Sequence, residues 1–135
     1  MKLLFDNDNR HLRNRTELRD SDGRLMFWGI YDFAFKYRTR IFDAHDIEIA
    51  YVEKDVTVLE DTVVFYDPAR GKIAQLQRDD GKLVLKSEGI CYEGDADEGE
   101  VKGMLKIGKG VLETENDQDL LKAVCLLFAL IEIDR

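Results

Sequence analysis

Apolar and polar positions alternate in short runs over the first 114 residues, and then the alternation stops. Three stretches share one design: "TELRDSDGRLMFWG" from Thr16, "TRIFDAHDIEIAYVE" from Thr39 and "VVFYDPARGKIAQLQ" from Val63. Each is a run with β-branched or aromatic residues, an aspartate (Asp20, Asp43 or Asp67), a tight turn, and a second apolar run. This pattern predicts β-hairpins. An aspartate at the turn start accepts a hydrogen bond from the backbone two residues on, and Gly23 and Gly71 allow the positive φ that such turns require. Asp46 holds the corresponding place in the second unit, at a greater steric cost. The aspartates fall 23 and 24 residues apart, so the repeating unit is a hairpin.

Four further strands are predicted. "KLVLK" sets Leu83 and Leu85 against Lys82, Val84 and Lys86, and "VKGMLKI" sets Val101, Gly103, Leu105 and Ile107 against Lys102, Met104 and Lys106. "EGICYEG" (residues 88–94) and "GVLET" (residues 110–114) read as strands from composition. Ten strands are clear from the pattern, within an expected ten to twelve, and the alternating runs have one wet and one dry face.

"DLLKAVCLLFALIEIDR", residues 119–135, behaves differently. From Leu120 to Ile133 it is apolar on every face of a helix, interrupted only by Lys122 and Glu132. A helix without a polar side is enclosed by protein or by lipid. Fourteen residues at ~1.5 Å each reach ~21 Å, short of a ~30 Å hydrocarbon core, and an interfacial helix would carry a charged face. The tail is therefore expected to fill the interior of a sheet whose dry faces point inward, with Asn116 or Asp117 as its cap and Asp119 in its first turn. The expected organisation is a single domain over residues 1–135, with strands over about 1–114 and the helix over about 118–133.

Composition narrows the function classes. The chain has 135 residues, 36% of them charged, and a formal net charge of −8, which disfavours general nucleic-acid binding. The charge is uneven: residues 1–40 hold nine Lys/Arg against six Asp/Glu. Two cysteines in unrelated contexts, Cys91 and Cys125, suggest neither a disulfide framework nor a zinc site. The start "MKLLFDNDNR" reaches a charge at Asp6, before a secretory apolar run could form, so a cytoplasmic location is expected.

The serial hairpins of the form x-x-D-x-x-G, closed by an acidic turn and then "DLLKAVCLLFALIEID", resemble the LURP-one-related family, which groups with tubby C-terminal domains and phospholipid scramblases. The resemblance runs from about Thr16 to Asp134, and its most specific part is the aspartate-led apolar ending. It implies a closed antiparallel barrel of twelve strands around a central hydrophobic C-terminal α-helix. Tubby-like domains are known as phosphoinositide binders, plant members of the LURP-one-related branch are linked to defence, and bacterial members are mostly uncharacterised. No functional residue of tubby's basic lipid-binding motif is carried over to this chain.

Candidate chemistry is sparse. Neither "DNDNRHLRN" nor "DADEGE" places oxygen ligands, glycine and glutamate as a twelve-residue calcium loop requires, although Asp95, Asp97, Glu98 and Glu100 form an acidic stretch. His11 and His45 are the only histidines, with His45 inside the turn "DAHD"; Ser21 and Ser87 lie in no nucleophile motif. No catalytic residue, metal or cofactor is expected, and a non-enzymatic binding or scaffold module with an unknown protein partner is the leading expectation. The alternative is binding of an anionic phospholipid or phosphoinositide-type head group through "KYRTR": Lys36, Arg38 and Arg40 alternate along one strand face, with Arg10, Arg13, Arg15 and Arg19 upstream.

Overall fold

The computed structural model describes residues 1–6, 14–32, 38–54, 62–69, 71–79, 82–85, 90–94 and 98–133. It contains twelve strands: β1 (Lys2–Leu4), β2 (Arg15–Arg19), β3 (Leu25–Asp32), β4 (Arg38–Asp43), β5 (Glu48–Lys54), β6 (Thr62–Asp67), β7 (Gly71–Asp79), β8 (Lys82–Leu85), β9 (Ile90–Gly94), β10 (Glu98–Val101), β11 (Leu105–Gly108) and β12 (Val111–Thr114). Each pairs antiparallel with its neighbours in sequence, and β1 pairs with β12, so the sheet closes into a barrel. Closure leaves no free end strand in the sheet order.

The three predicted hairpins are β2–β3, β4–β5 and β6–β7, and they repeat in atomic detail. The Asp20, Asp43 and Asp67 carboxylates each accept the backbone N–H two residues on, at 2.9, 2.8 and 2.8 Å. Gly23 and Asp46 sit at φ 83° and 61°; in the third hairpin Gly71, one position later, takes φ 86°. Each hairpin also has a β-bulge one residue before its aspartate: the ladders skip Met26, Ile49 and Ile73, each six residues after it. A bulge sharpens the strand bend, which helps a ribbon curl into a closed wall.

Two expectations on strands need correction. "VKGMLKI" is not one strand: β10 ends at Val101, the Met104 N–H donates to Val101 O at 3.1 Å, Gly103 takes φ 75°, and β11 starts at Leu105. The turn keeps the odd positions inward on both sides, so Val101, Leu105 and Ile107 are buried as a single strand would bury them, but Met104 is buried too. The other strand missed from pattern, β1, has only three residues. Split β10–β11 and added β1 raise the count from ten to twelve.

The terminal helix α1 (Leu120–Ile133) follows a short 3-10 turn, Asp117–Asp119. Asn116 occupies the cap position of that turn, but its side chain makes no capping bond. Every residue from Ala123 to Ile133 is buried. The helix meets β4, β5, β6 and β12, and the inward residues Leu18, Ile41, Val52, Phe65, Leu76 and Leu112 complete one core with it. A fully buried large aliphatic contributes about 1.5–3 kcal/mol, so the helix and the strand faces hold each other in place. Among the described residues no helix is long and apolar enough to cross a membrane.

Candidate binding face

With the odd and even positions of each strand assigned to the inside and the outside, the chemistry left to the surface is limited to the outward residues. On β4 these are Arg38, Arg40 and Phe42, while Thr39 and Ile41 are buried. The expected projection of Arg38 and Arg40 from one face is therefore present. Lys36 lies outside the described residues, as do Arg10, Arg13, His11, Asp95 and Asp97.

Neighbouring strands set the surroundings of these arginines. Register places Arg38 opposite Glu53, and Arg40 opposite Tyr51. Arg38 donates from Nε to Glu53 Oε1 at 2.8 Å, with Nη2 on the same oxygen, and lies over the Tyr51 ring at 4.5 Å. Arg40 forms a two-pronged pair with Glu48, at 3.2 and 2.9 Å, and lies 5.2 Å from the Phe42 ring centre. The bulge at Ile49 makes the second pair possible by bringing Glu48 opposite Phe42 on the outer face. Without it, the alternation would point this carboxylate the other way.

The aromatic rings continue the row on both sides. Trp28 on β3 stacks on Phe42 at 4.2 Å, with Arg15 of β2 at 4.1 Å over the indole and the indole N–H donating to Asp46 Oδ1 at 3.0 Å. Tyr51 stacks on Tyr66 of β6 at 4.8 Å. On β2, Glu17 accepts from Arg15 Nε and Nη2 through Oε2 and from Arg19 Nη2 through Oε1. These two arginines hold the Glu17 carboxyl below its ordinary value of 4.5. Arg15 and Arg40 are level with each other across Ile30, about 10 Å apart at two strand spacings. They belong to one face but to separate ion-pair clusters.

The remaining candidates are not brought into this row. His45 is exposed at the tip of the second hairpin, where its backbone N–H serves the turn. Cys125 is buried in α1, and burial pushes its thiol up to about 12, so it is not a thiolate nucleophile near neutral pH. Glu98 and Glu100 are part of β10, and among the described residues no group of three or more His, Cys, Asp or Glu could hold a metal ion.

One polar group went unrecognised in the sequence. Glu132, which looked like a flanking charge, is fully buried, and its Oε2 accepts a 2.9 Å hydrogen bond from the Thr39 hydroxyl. Beside it, inward-pointing Lys54 donates to the Ile133 carbonyl at 3.2 Å, placing a cation at the negative end of the helix. The signal in the sequence was a threonine at an inward position between two outward arginines.

Comparison with family models, with curated proteins and with solved structures finds no match to this chain.

Proposed function

We propose that this chain is a non-enzymatic binding module that meets a protein partner through the outer face of β2–β6. The observation that supports this reading is the preassembled row Arg15, Trp28, Phe42, Arg40 and Arg38, Tyr51, Tyr66, in which planar cations and rings lie against one another while still partly exposed. Arg, Trp and Tyr carry most of the energy in protein interfaces. Side chains already fixed by stacking and ion pairing lose little freedom on binding. The resemblance to the LURP-one-related family is the support for that family assignment, and it agrees with a role in recognition; the barrel alone does not specify one.

Photo-crosslinking tests the reading. A photoreactive phenylalanine at position 51, inside the row, is expected to trap a discrete protein in cell extract. The same residue at position 106, on the outer face of β11, is expected to trap none. Equal labelling from both positions overturns the assignment.

A second reading has its own support, the outward projection of Arg38 and Arg40 from one strand. Binding of an anionic phospholipid or phosphoinositide-type head group there requires both guanidiniums to exchange a glutamate for phosphate, with Lys36 adding a third cation. Sedimentation with anionic liposomes, wild type against the Lys36→Glu, Arg38→Glu, Arg40→Glu variant, tests it. Wild type remaining in the supernatant at low salt rejects the lipid reading and leaves the protein-binding one in place.

A further inference from the structure

The stacking on the outer face is a repeat. On β2, β3 and β4 the Arg15 guanidinium lies 4.1 Å over the Trp28 ring, which stacks on Phe42 at 4.2 Å and 13°. On β4, β5 and β6 the Arg38 guanidinium lies 4.5 Å over the Tyr51 ring, which stacks on Tyr66 at 4.8 Å and 15°. Arg38, Tyr51 and Tyr66 follow Arg15, Trp28 and Phe42 by 23, 23 and 24 residues, the same steps that separate the three turn aspartates. A cation, a ring and a second ring on three successive strands are therefore part of the hairpin repeat itself. The third hairpin does not continue it, because Thr62 and Gln75 stand five residues before and eight after Asp67, where the first two hairpins have an arginine and a ring.

In both units the middle ring sits on the central strand, between the guanidinium on one neighbour and the second ring on the other, so its faces are already covered. What each unit presents to a partner is its guanidinium. Arg15 spends Nε and Nη2 on Glu17, and Arg38 spends the same pair on Glu53, yet the two side chains remain 46% and 34% exposed. A guanidinium fixed by one edge and one face has its Nη1–Nη2 edge in a set direction, and that edge grips a carboxylate with two parallel bonds.

The separation of the units is also set by the ladder. Arg15 is level with Arg40 across two strand spacings, and Arg38 lies two residues along β4 from there, so the backbones that carry Arg15 and Arg38 are about 12 Å apart. In an extended chain residues i and i+4 lie on one side about 13 Å apart, whereas i and i+2 are only about 7 Å apart.

We propose that the two units form a bivalent site for an extended acidic segment of the protein partner, with one carboxylate for each arginine and four residues from one acid to the next. Charge complementarity points to the acid: Arg15 and Arg19 share the single Glu17 carboxylate, which leaves a positive surplus at the first unit. Once the first acid is held there, the second is tethered beside Arg38 and binds as an intramolecular step. This partner chemistry rests on the binding-module reading.

The probes are three fluorescein-labelled peptides: GSEVTVEGS, with acids four apart; GSVETEVGS, of identical composition with acids two apart; and GSKVTVKGS. Fluorescence polarisation is expected to show the first binding about tenfold more tightly than the second, the gain that a second tethered contact supplies, with no binding of the third. Arg15→Gln or Arg38→Gln alone is expected to lower the first peptide to the affinity of the second. Arg15→Lys, Arg38→Lys keeps the charge but loses the fork, and is expected to remove the preference as well. Absence of binding, equal binding of the two glutamate peptides, or a preference that survives in the lysine variant overturns the proposal. The spacing comparison is made on the wild-type protein, so it stands whatever the variants do to folding. None of these outcomes alters the crosslinking expected at position 51, so the two readings fail separately.

Discussion

The Thr39 hydroxyl reaches across 93 residues of sequence to Glu132, binding its Oε2 at 2.9 Å inside the barrel. This is a polar contact between the wall and the helix in a core that is otherwise mostly aliphatic, and both side chains are buried. A buried carboxyl oxygen is costly to leave without its donor, so Thr39→Val removes a hydrogen bond and exposes the loss in full. The expected cost is about 1–3 kcal/mol, read as a lower midpoint in urea unfolding with unchanged slope. Thr39→Ser keeps the hydroxyl and is expected to recover most of the loss. Equal losses in the two variants would mean that the methyl group, and not the bond, carries the effect.

Gly29 on β3 lets the Phe128 ring of the helix pack directly against the strand backbone. A Cβ at position 29 would fall inside the van der Waals radius of the Phe128 ring. Gly29→Ala is therefore expected to destabilise by about 1–3 kcal/mol, the usual effect of overpacking. Shortening the ring in Gly29→Ala, Phe128→Leu is expected to cost less than the sum of the two single changes, a coupling that a double-mutant cycle measures. Additive effects would place the strain elsewhere.

The hairpins and the inward helix were legible because their signals are local: an aspartate that turns the chain, and an apolar surface without a polar side. What was not legible depends on contacts distant in sequence. Glu132 reads as the charged end of an apolar run, and only its contact with the wall strand that carries Thr39 shows it to be interior. The outward direction of Arg38 and Arg40 follows from alternation, but their partners do not, because Glu48 reaches Arg40 only after the bulge at Ile49 shifts the register. The turn at residues 102–104 was missed because it spans three residues and preserves parity, so Val101 and Leu105 stay in phase across it.

Glu17 supplies a pH-dependent test of the β2 cluster. Its folded-state carboxyl is held below 4.5 by Arg15 and Arg19, so its favourable contribution is present above the unfolded value and is lost as pH falls through the folded one. The pair is solvent-exposed and screened by salt, which keeps its contribution to stability small. Carbon-detected NMR titration is expected to give a midpoint under 4.5 at low salt that rises as salt is added. Arg15→Gln, Arg19→Gln is expected to abolish both the depression and its salt dependence.

The carboxylates on β5 moderate the charge of the β4 face. Glu53 and Glu48 sit against Arg38 and Arg40, with side-chain exposures of 13% and 24% against 34% and 43% for the arginines, so much of the positive surface is already matched. Glu48→Gln, Glu53→Gln keeps the shapes and removes two negative charges. The double variant is expected to bind a cation-exchange resin and anionic vesicles more strongly than wild type, with the difference vanishing at high salt. Retention equal to wild type would show that these glutamates do not set the field of this face.

Leu127 gives the most direct test of the helix's place. It is fully buried at the middle of α1, whose residues Ala123 to Ile133 have no solvent-facing side. Leu127→Asp sets an ionisable group in that interior, at a cost of several kcal/mol against the ~5–15 kcal/mol that holds an ordinary domain together. The expected outcome is loss of the cooperative thermal transition and of near-ultraviolet circular dichroism. Leu121, by contrast, is 40% exposed as the second residue of the same helix. Leu121→Asp is expected to leave the transition within a few degrees of wild type, since surface changes away from special contacts are usually worth less than about 0.5 kcal/mol. A folded Leu127→Asp protein that had merely lost affinity for membranes would make the helix an anchor and not the centre of the barrel.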